Sequence, residues 1–423
     1  MGSRSGDPQH TQDFFPNYRS QYNELAAQTR WLFHPDPLID TRRLQGLFAD
    51  HGIQPEKYLP QIQVWVVRTN QPLTSQALDS LRLDPRVDWI EPDGLLHASA
   101  IVPNDPLFIP QQPNLAVIGM PQAWSYTTGA PTWPIAVLDT GIDLDHPDLQ
   151  SKIWVNSAEA PGNGVDDDAN GFVDDVVGWN FVADNAIPQD DYSHGSHVSG
   201  IAAAATNNGV GVAGIAWLAP VMPLKVLNSA GDGLASDVAQ GILYAADNQA
   251  RIINLSLGDD EEFQVITAAV IYARSHGCLV VAAAGNSGGP VEYPAAQPEA
   301  LAVAATNNND VPWSNSNRGP EVDLAAPGVE IFSADSTGFY YSSSGTSMSA
   351  AHVSGVAALV WSLHPEWSVD QVTQVLTATA LDIWAPGRDN LTGWGRIDAS
   401  AAVYYSYLKF AYFPLVALDR EAK

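Results

Sequence analysis

Cysteine is nearly absent from this chain: one residue, Cys278, in 423. A single thiol excludes an internal disulfide. Its place in the apolar run Cys278-Leu-Val-Val-Ala-Ala-Ala284 reads as a buried, inert side chain, not a nucleophile. Positive charge is scarce as well, with 19 Lys and Arg against 47 Asp and Glu and a net charge of −28. The imbalance is concentrated: residues 101–405 hold 7 cations and 33 anions, whereas residues 1–100 hold 9 and 12. Such a body repels nucleic acid and anionic membranes; it suits a protein that collects divalent cations or lives in salt. No apolar run approaches the ~20 residues that a bilayer-spanning helix needs. The opening Met-Gly-Ser-Arg-Ser-Gly-Asp has no apolar stretch of the kind a secretory leader carries, so residues 1–37 are expected to be disordered or appended.

What is present is a globular composition, 45% hydrophobic and 16% charged, long enough for one large domain and a smaller one. Residues 38–98 form a first unit. Gln61–Val67 is strand-like, Ser75–Leu83 helix-like with a Ser at its start, and Val87–Glu91 alternates as a second strand. Residues 99–113, with Pro103, Pro106, Pro110 and Pro113, are expected to be an exposed linker. From 114 to 405 the pattern changes. Apolar runs at Ile135–Leu138, Val221–Leu227, Ile252–Leu255 and Leu279–Ala284 alternate with helix-like stretches at His197–Ala205, Ser236–Asn248 and Glu262–His276. That alternation predicts a parallel sheet between helices, with its site beyond the C-terminal ends of the strands. The tail, 406–423, holds an apolar patch at Phe410–Val416 expected to pack on the body.

Four motifs carry chemistry. In Gly345-Thr-Ser-Met-Ser-Ala-Ala-His-Val353, Ser347 is set among small residues at a helix start, where unpaired N–H groups favour developing negative charge. Asp139 ends an apolar strand in Ile135-Ala-Val-Leu-Asp139, where a carboxylate can orient an imidazole. His194 opens a helix in Ser193-His-Gly-Ser-His-Val-Ser-Gly200. Asn286 follows a strand in Ala284-Gly-Asn-Ser-Gly288, where its amide can donate to an oxyanion. An α/β-hydrolase reading fails, because Gly345-Thr-Ser-Met-Ser349 lacks the second Gly and the order is Asp, His, Ser.

In the order and wording of these motifs, residues 104–405 resemble the subtilisin-like serine proteases. The resemblance implies a three-layer α/β/α fold with a mostly parallel sheet, plus a small α+β, ferredoxin-like prodomain. It implies Ser347 as nucleophile, His194 as general base and acid, Asp139 as its orienting partner, and Asn286 with the Ser347 N–H as oxyanion hole. By the same comparison His197 is structural. One departure is Ala351, where the family usually has Pro; it should cost little chemistry.

The resemblance further implies a cleft walled by Ser256, Leu257 and Gly258 on one side and Ala283 to Gly285 on the other. Glu292 stands at the base of the S1 pocket, where the family commonly has Gly. A carboxylate there favours Arg or Lys at P1; the alternatives are an outward-turned side chain or one that binds a cation. The stretch His97–Pro103, expected to be the processing region, holds no basic residue. Asp259, Asp260, Glu261 and Glu262 read as a solvated acidic loop or as an extension of that preference.

Asn163–Asp175 places oxygen ligands at alternate positions. Asp166, Asp168, Asn170, the Phe172 carbonyl and Asp174 imitate an EF-hand loop, but Val177 stands where the bidentate Glu belongs. It reads as a Ca²⁺ loop of another kind, or as a solvated acidic turn. Similarity to calcium-binding family members implies a second site at Asp105, Asp148, Asn208 and the carbonyls of Val210 and Val212. It also implies that residues 38–98 are an inhibitory propeptide, against the alternative of an attached accessory domain. The expected partners are protein and peptide substrates and the chain's own propeptide, acting on a monomer without nucleic acid or membrane span. The expected compartment is extracellular or periplasmic. The rival to an enzyme is a silent calcium- and peptide-binding module with the same fold.

Overall fold

The computed structural model describes residues 29–412 apart from 38, 72 and 94–99. The expectations for residues 1–28, for residues 97–99 of the processing stretch and for the side chains of the tail patch lie outside these. The chain divides into two compact units between His97 and Ala98.

The first unit runs β1 (Arg30–Pro35), α1 (Thr41–Asp50), β2 (Ile53–Leu59), β3 (Val64–Thr69), α2 (Ser75–Leu83) and β4 (Val87–Pro92). The sheet is antiparallel in the order β2-β3-β1-β4, which with the βαββαβ element order is ferredoxin-like. β1 corrects the expectation that residues 1–37 lack structure. It lies between β3 and β4, and its alternation buries Trp31 and Phe33 against Phe48, Leu81 and Ile90. Arg30 and Asp93 form a 3.0 Å ion pair at its start. The cap of α2 is Thr74 rather than Ser75, its hydroxyl accepting from the Ala77 N–H.

In the second unit the expected linker is mostly exposed, as read, but it is pinned to the body by the buried Pro103, Asp105, Phe108 and Gln112. α3 (Phe108–Gln111) and α4 (Pro113–Val117) bury Phe108 and Leu115, and the buried Gln112 exchanges two 2.8 Å bonds with the Ala213 backbone. Pro113 is the first residue of α4, a position that suits Pro. After α5 (Met120–Ala123) come β5 (Ile135–Asp139), β6 (Trp179–Asn180), α6 (His194–Ala203), β7 (Val221–Lys225), α7 (Ala235–Asp247) and β8 (Ile252–Leu255). Then follow α8 (Gln264–Ser275), β9 (Leu279–Ala283), β10 (Ala300–Thr306), β11 (Leu324–Pro327) and the hairpin β12 (Ile331–Ala334) and β13 (Tyr340–Ser343). The last elements are α9 (Thr346–Leu363), α10 (Val369–Ala378) and α11 (Ala399–Tyr412). α11 crosses the expected boundary at 405/406, and the Ser406 carbonyl is buried against His364 Nε2 at 2.9 Å.

The seven strands pair in parallel in the order β11-β10-β9-β8-β5-β7-β6, with core on both faces. This is the expected three-layer α/β/α arrangement. From β5 the chain winds first toward β7 and then, beginning at β8, in the opposite direction. That reversal opens a crevice beyond the C-terminal ends of β5 and β8.

Candidate active site

The four chemical residues of these motifs, Asp139, His194, Asn286 and Ser347, sit at strand ends or helix starts on that side of the sheet. Asp139 is the last residue of β5 and has no solvent exposure. Its Oδ1 accepts from the Thr140 N–H and faces His194 Nδ1, both at 2.7 Å. His194 opens α6, whose entry is set by Ser193 in a left-handed conformation, φ 77°. Gly195 follows because a Cβ there would come within 2.0 Å of the Gly141 carbonyl. Behind the pair, the buried Asp190 accepts from Thr140 Oγ1, Ser193 N–H, Ser196 N–H and Ser196 Oγ, so the β5 and α6 ends are tied to one carboxylate. Burial opposes the imidazolium, but the charge and hydrogen bond of Asp139, aided by Asp190, outweigh it and hold His194 above its ordinary value. With Nδ1 committed to Asp139, Nε2 is the nitrogen available for proton exchange.

Ser347 lies in the first turn of α9, a helix buried along most of its length. Its N–H is one of the first-turn donors that the helix itself leaves without an i−4 carbonyl. Its Oγ donates to the Ser256 carbonyl at 3.3 Å, and Ser256 Oγ returns a 3.1 Å bond to the Ser347 carbonyl, fixing the helix start on the end of β8. Asn254 and Ser354 complete this buried chain. Asn286 follows β9 at the exposed face of the site. Its Oδ1 accepts from Thr346 N–H at 2.9 Å and Thr346 Oγ1 at 3.1 Å, which commits the acceptor end to α9 and leaves Nδ2 as donor. A carboxylate–imidazole pair, a hydroxyl at a helix N-terminus and a free amide donor are the parts that acyl transfer requires.

Two buried histidines near the site are occupied elsewhere. His197 Nε2 meets the carbonyls of Ile331 and Tyr341, and burial with the nearness of His194 pushes it down to about 3. His352, one turn beyond Ser347, is pushed down to about 4 by burial; it bonds the Met348 carbonyl and Asn114.

Beside this edge Ser256 is buried, Leu257 half-buried and Gly258 exposed, while Ala283 and Gly285 are buried across from them. Glu292 lies between the two walls. A Cβ at Gly258 would be 2.8 Å from its Oε2, and one at Gly285 would be 2.6 Å from its Oε1, so both glycines make room for the carboxylate. It is half-buried, accepts from Asn317 Nδ2 at 3.1 Å, and has no ion pair among the described residues. Burial raises its pKa; Asn317 opposes this, and the charges of Asp260 and Asp259 add to it. Asp259 pairs backbone to backbone with Tyr293, which joins the acidic loop to the residue after Glu292.

The expected cation ligands divide. Asp105 and Asp148 are buried and lie together without an ion pair among the described residues, and burial raises both. Asn208 Nδ2 donates to Asp148 Oδ1 at 2.9 Å, the Val212 N–H to Oδ2 at 2.9 Å, and Asn208 Oδ1 accepts from Val210 N–H. The loop is close enough that a Cβ at Gly211 would come 2.1 Å from Asp148 Oδ2. In the acidic loop, Asp168 joins Glu159 and Asp175 with carboxylate oxygens within 4.8 Å of one another. Asn170 Nδ2 bridges Asp168 and Asp175. Asp166 instead caps its own turn, accepting from the Asn170 and Gly171 N–H groups, and Asp174 accepts from the Asn163 and Gly164 N–H groups across the loop. The Phe172 ring packs against Trp179, Phe181 and Tyr244. Glu159 and Asp175 were not singled out in the sequence. Asp175 breaks the alternation, and Glu159 stands upstream of it with no periodic mark.

Comparison with known proteins agrees with this geometry. Residues 132–395 match the Subtilase family. Thermitase from Thermoactinomyces vulgaris is 41% identical over 306 residues, covering 72% of this chain and 99% of that protein. Subtilisin Savinase from Lederbergia lenta is 40% identical over 269 residues, 63% and 89% of the two chains. The halolysin-like extracellular serine protease Nep from Natrialba magadii is 39% identical over 319 residues, 74% of this chain and 54% of Nep. The chain belongs to the subtilase family and is a subtilisin-like serine endopeptidase.

Proposed function

We propose that peptide bonds are cut through an acyl-enzyme on Ser347. Ser347 Oγ attacks the scissile carbonyl as its proton passes to His194 Nε2. Asp139 stabilises the resulting imidazolium, and the carbonyl oxygen becomes an oxyanion between Asn286 Nδ2 and the Ser347 N–H. His194 returns the proton to the leaving amine; water then repeats the sequence in reverse and frees the acid. The observation that carries this reading is the 2.7 Å Asp139–His194 pair at the same sheet edge as a hydroxyl in a first helical turn.

The finer reading is a calcium-stabilised enzyme, made as a zymogen, that takes Arg or Lys at P1. Glu292 supports the P1 preference: a desolvated carboxylate between two glycines, without an internal cation, is stabilised when a substrate cation meets it. Buried, unpaired Asp105 and Asp148 fit a hard cation, with Asn208 and the carbonyls of Val210 and Val212 as further oxygen donors; Glu159, Asp168, Asp175 and Asn170 fit a second. Bound Ca²⁺ would neutralise these clustered carboxylates and hold their loops. The ferredoxin-like first unit is read as the inhibitory propeptide, and the mature enzyme as a secreted monomer. The acidic surface and the extracellular relative Nep support secretion.

Chromogenic peptides with Arg, Phe or Leu at P1, assayed with calcium and with EGTA, test the whole. Arg cleavage that EGTA abolishes is the expected result. A Phe or Leu preference overturns the role of Glu292, and activity indifferent to EGTA overturns the calcium reading. No cleavage of any peptide overturns Ser347 as nucleophile.

A further inference from the structure

Asn317 lies between β10 and β11, and its side chain is wholly buried. Its Oδ1 accepts three bonds from one loop: Ser287 N–H at 2.9 Å, Ser287 Oγ at 2.9 Å and Gly289 N–H at 3.0 Å. Its own N–H donates to the Gly285 carbonyl at 3.0 Å. One residue therefore holds the loop on both sides of Asn286. The other end of the same amide, Nδ2, donates to Glu292 Oε1 at 3.1 Å. This orientation is forced, since a flipped amide would set Nδ2 against two N–H donors and Oδ1 against a carboxylate.

We propose that Asn317 is a positioning residue that couples the S1 pocket to the oxyanion loop, so that the P1 side chain is registered in turnover as well as in binding. The proposal rests on the reading of Glu292 as the P1 partner. A P1 cation at Oε2 leaves the Oε1–Asn317 bond as found. An apolar P1 side chain strips water from Oε2 and offers nothing in exchange. The carboxylate then loads its remaining donor, Asn317, and the displacement reaches Ser287 and Gly289 through Oδ1. Asn286 sits on that loop, and oxyanion donors act only when placed within a fraction of an ångström. The geometry gives the coupling its direction: a cation at P1 preserves the loop, and an uncharged P1 disturbs it.

The test is kcat and KM, measured separately on Arg- and Leu-P1 peptides, for the wild type, Glu292→Gln and Asn317→Ala produced from the full chain. Active enzyme is counted by a serine-directed fluorophosphonate. The wild type is expected to favour Arg in kcat by at least about fivefold, the lower end of ordinary coupling between sites. In Asn317→Ala the kcat ratio should fall to within about twofold while the KM ratio persists, because Glu292 is still present. A loop prop alone would lower kcat on both peptides and leave their ratio unchanged, which overturns the coupling. A wild-type Arg preference confined to KM also overturns it and leaves the Glu292 reading intact. A wild type indifferent to P1 charge, with Glu292→Gln silent, overturns both readings. If Asn317→Ala does not fold, Asn317→Ser, whose shorter side chain withdraws the donor from Glu292 without adding charge, should collapse the kcat ratio equally, and a retained ratio overturns the coupling.

Discussion

The catalytic edge and the acidic loop at 159–175 are both dense in hydrogen bonds, yet they are held by opposite means. At the edge, polar groups rest on a buried scaffold. Asp139 and Asp190 are fixed by backbone and hydroxyl donors, and Ser347 and Asn286 are locked to the end of β8 and to α9. Two apolar cores lie beneath them. In the loop, carboxylates are satisfied largely by the loop's own N–H groups, although Asp175 is buried and accepts from the core hydroxyl of Tyr244, and Phe172 packs into the same core. The edge is organised before any ligand arrives by a scaffold of strands and helices, whereas in the loop the three carboxylates are kept together by its own turns and by the side-chain donors Asn156, Asn170 and Tyr244. A chemical site built on strand ends should thus survive changes that unmake a loop site, and fail when single polar atoms are removed.

Four outcomes sharpen or break this contrast. The largest is Ser347→Ala, expected to lower kcat by about 10⁶-fold, the magnitude known for the nucleophile of subtilisin, with the melting temperature nearly unchanged. A residual rate within tenfold of the wild type would refute the assigned nucleophile. Asn286→Ala comes next, expected to cost about 10²–10³-fold in kcat with little change in KM, as for an oxyanion donor in subtilisin. An effect confined to KM would mean that Nδ2 meets the ground state only. Third, EGTA should lower the melting temperature by roughly 5–10 °C, corresponding to about 3 kcal/mol of binding linkage at a hundredfold excess over Kd. Asp168→Asn should remove part of that response, and an unchanged melting temperature would mean that the loop holds itself together. The smallest effect is on pH. His194 must be neutral to accept a proton, and its folded value lies above the ordinary one. Activity should therefore rise with pH through a midpoint above about 6.5 and be lost below it. Asp190→Asn removes a charge that favours the imidazolium, so the acidic limb should move to lower pH. A shift upward would refute the electrostatic account.

How much of this was legible depended on how local the cause was. Asp139, His194, Asn286 and Ser347 could be named because each follows a strand or opens a helix, and the sheet edge collects such positions. The strands Ala300–Thr306 and Leu324–Pro327 went unread because their alanines carry no strand preference; pairing beside β9 made them strands. β1 was missed because His34, Pro35 and a polar surrounding mask its alternation, which only β3 and β4 make useful. In the acidic loop the alternating pattern named Asp168 and Asn170 but also Asp166 and Asp174, whose carboxylates are taken up by backbone N–H groups of the loop. An alternation describes ligands only when the backbone stays regular, and Ala169 and Asp174 adopt left-handed conformations that turn it aside.

The sequence by itself determined the alternation of strand and helix, the excess of negative charge and the residue types at the four motifs, because these depend on neighbours along the chain. Tertiary structure decided which groups share a space. It set Glu292 between Gly258 and Gly285, placed Glu159 and Asp175 beside Asp168, and put Asn317 between the Glu292 carboxylate and the loop that carries Asn286. Those juxtapositions join residues up to about thirty positions apart, or across strands. They exist only after the core has folded and desolvated the groups, which no local pattern records.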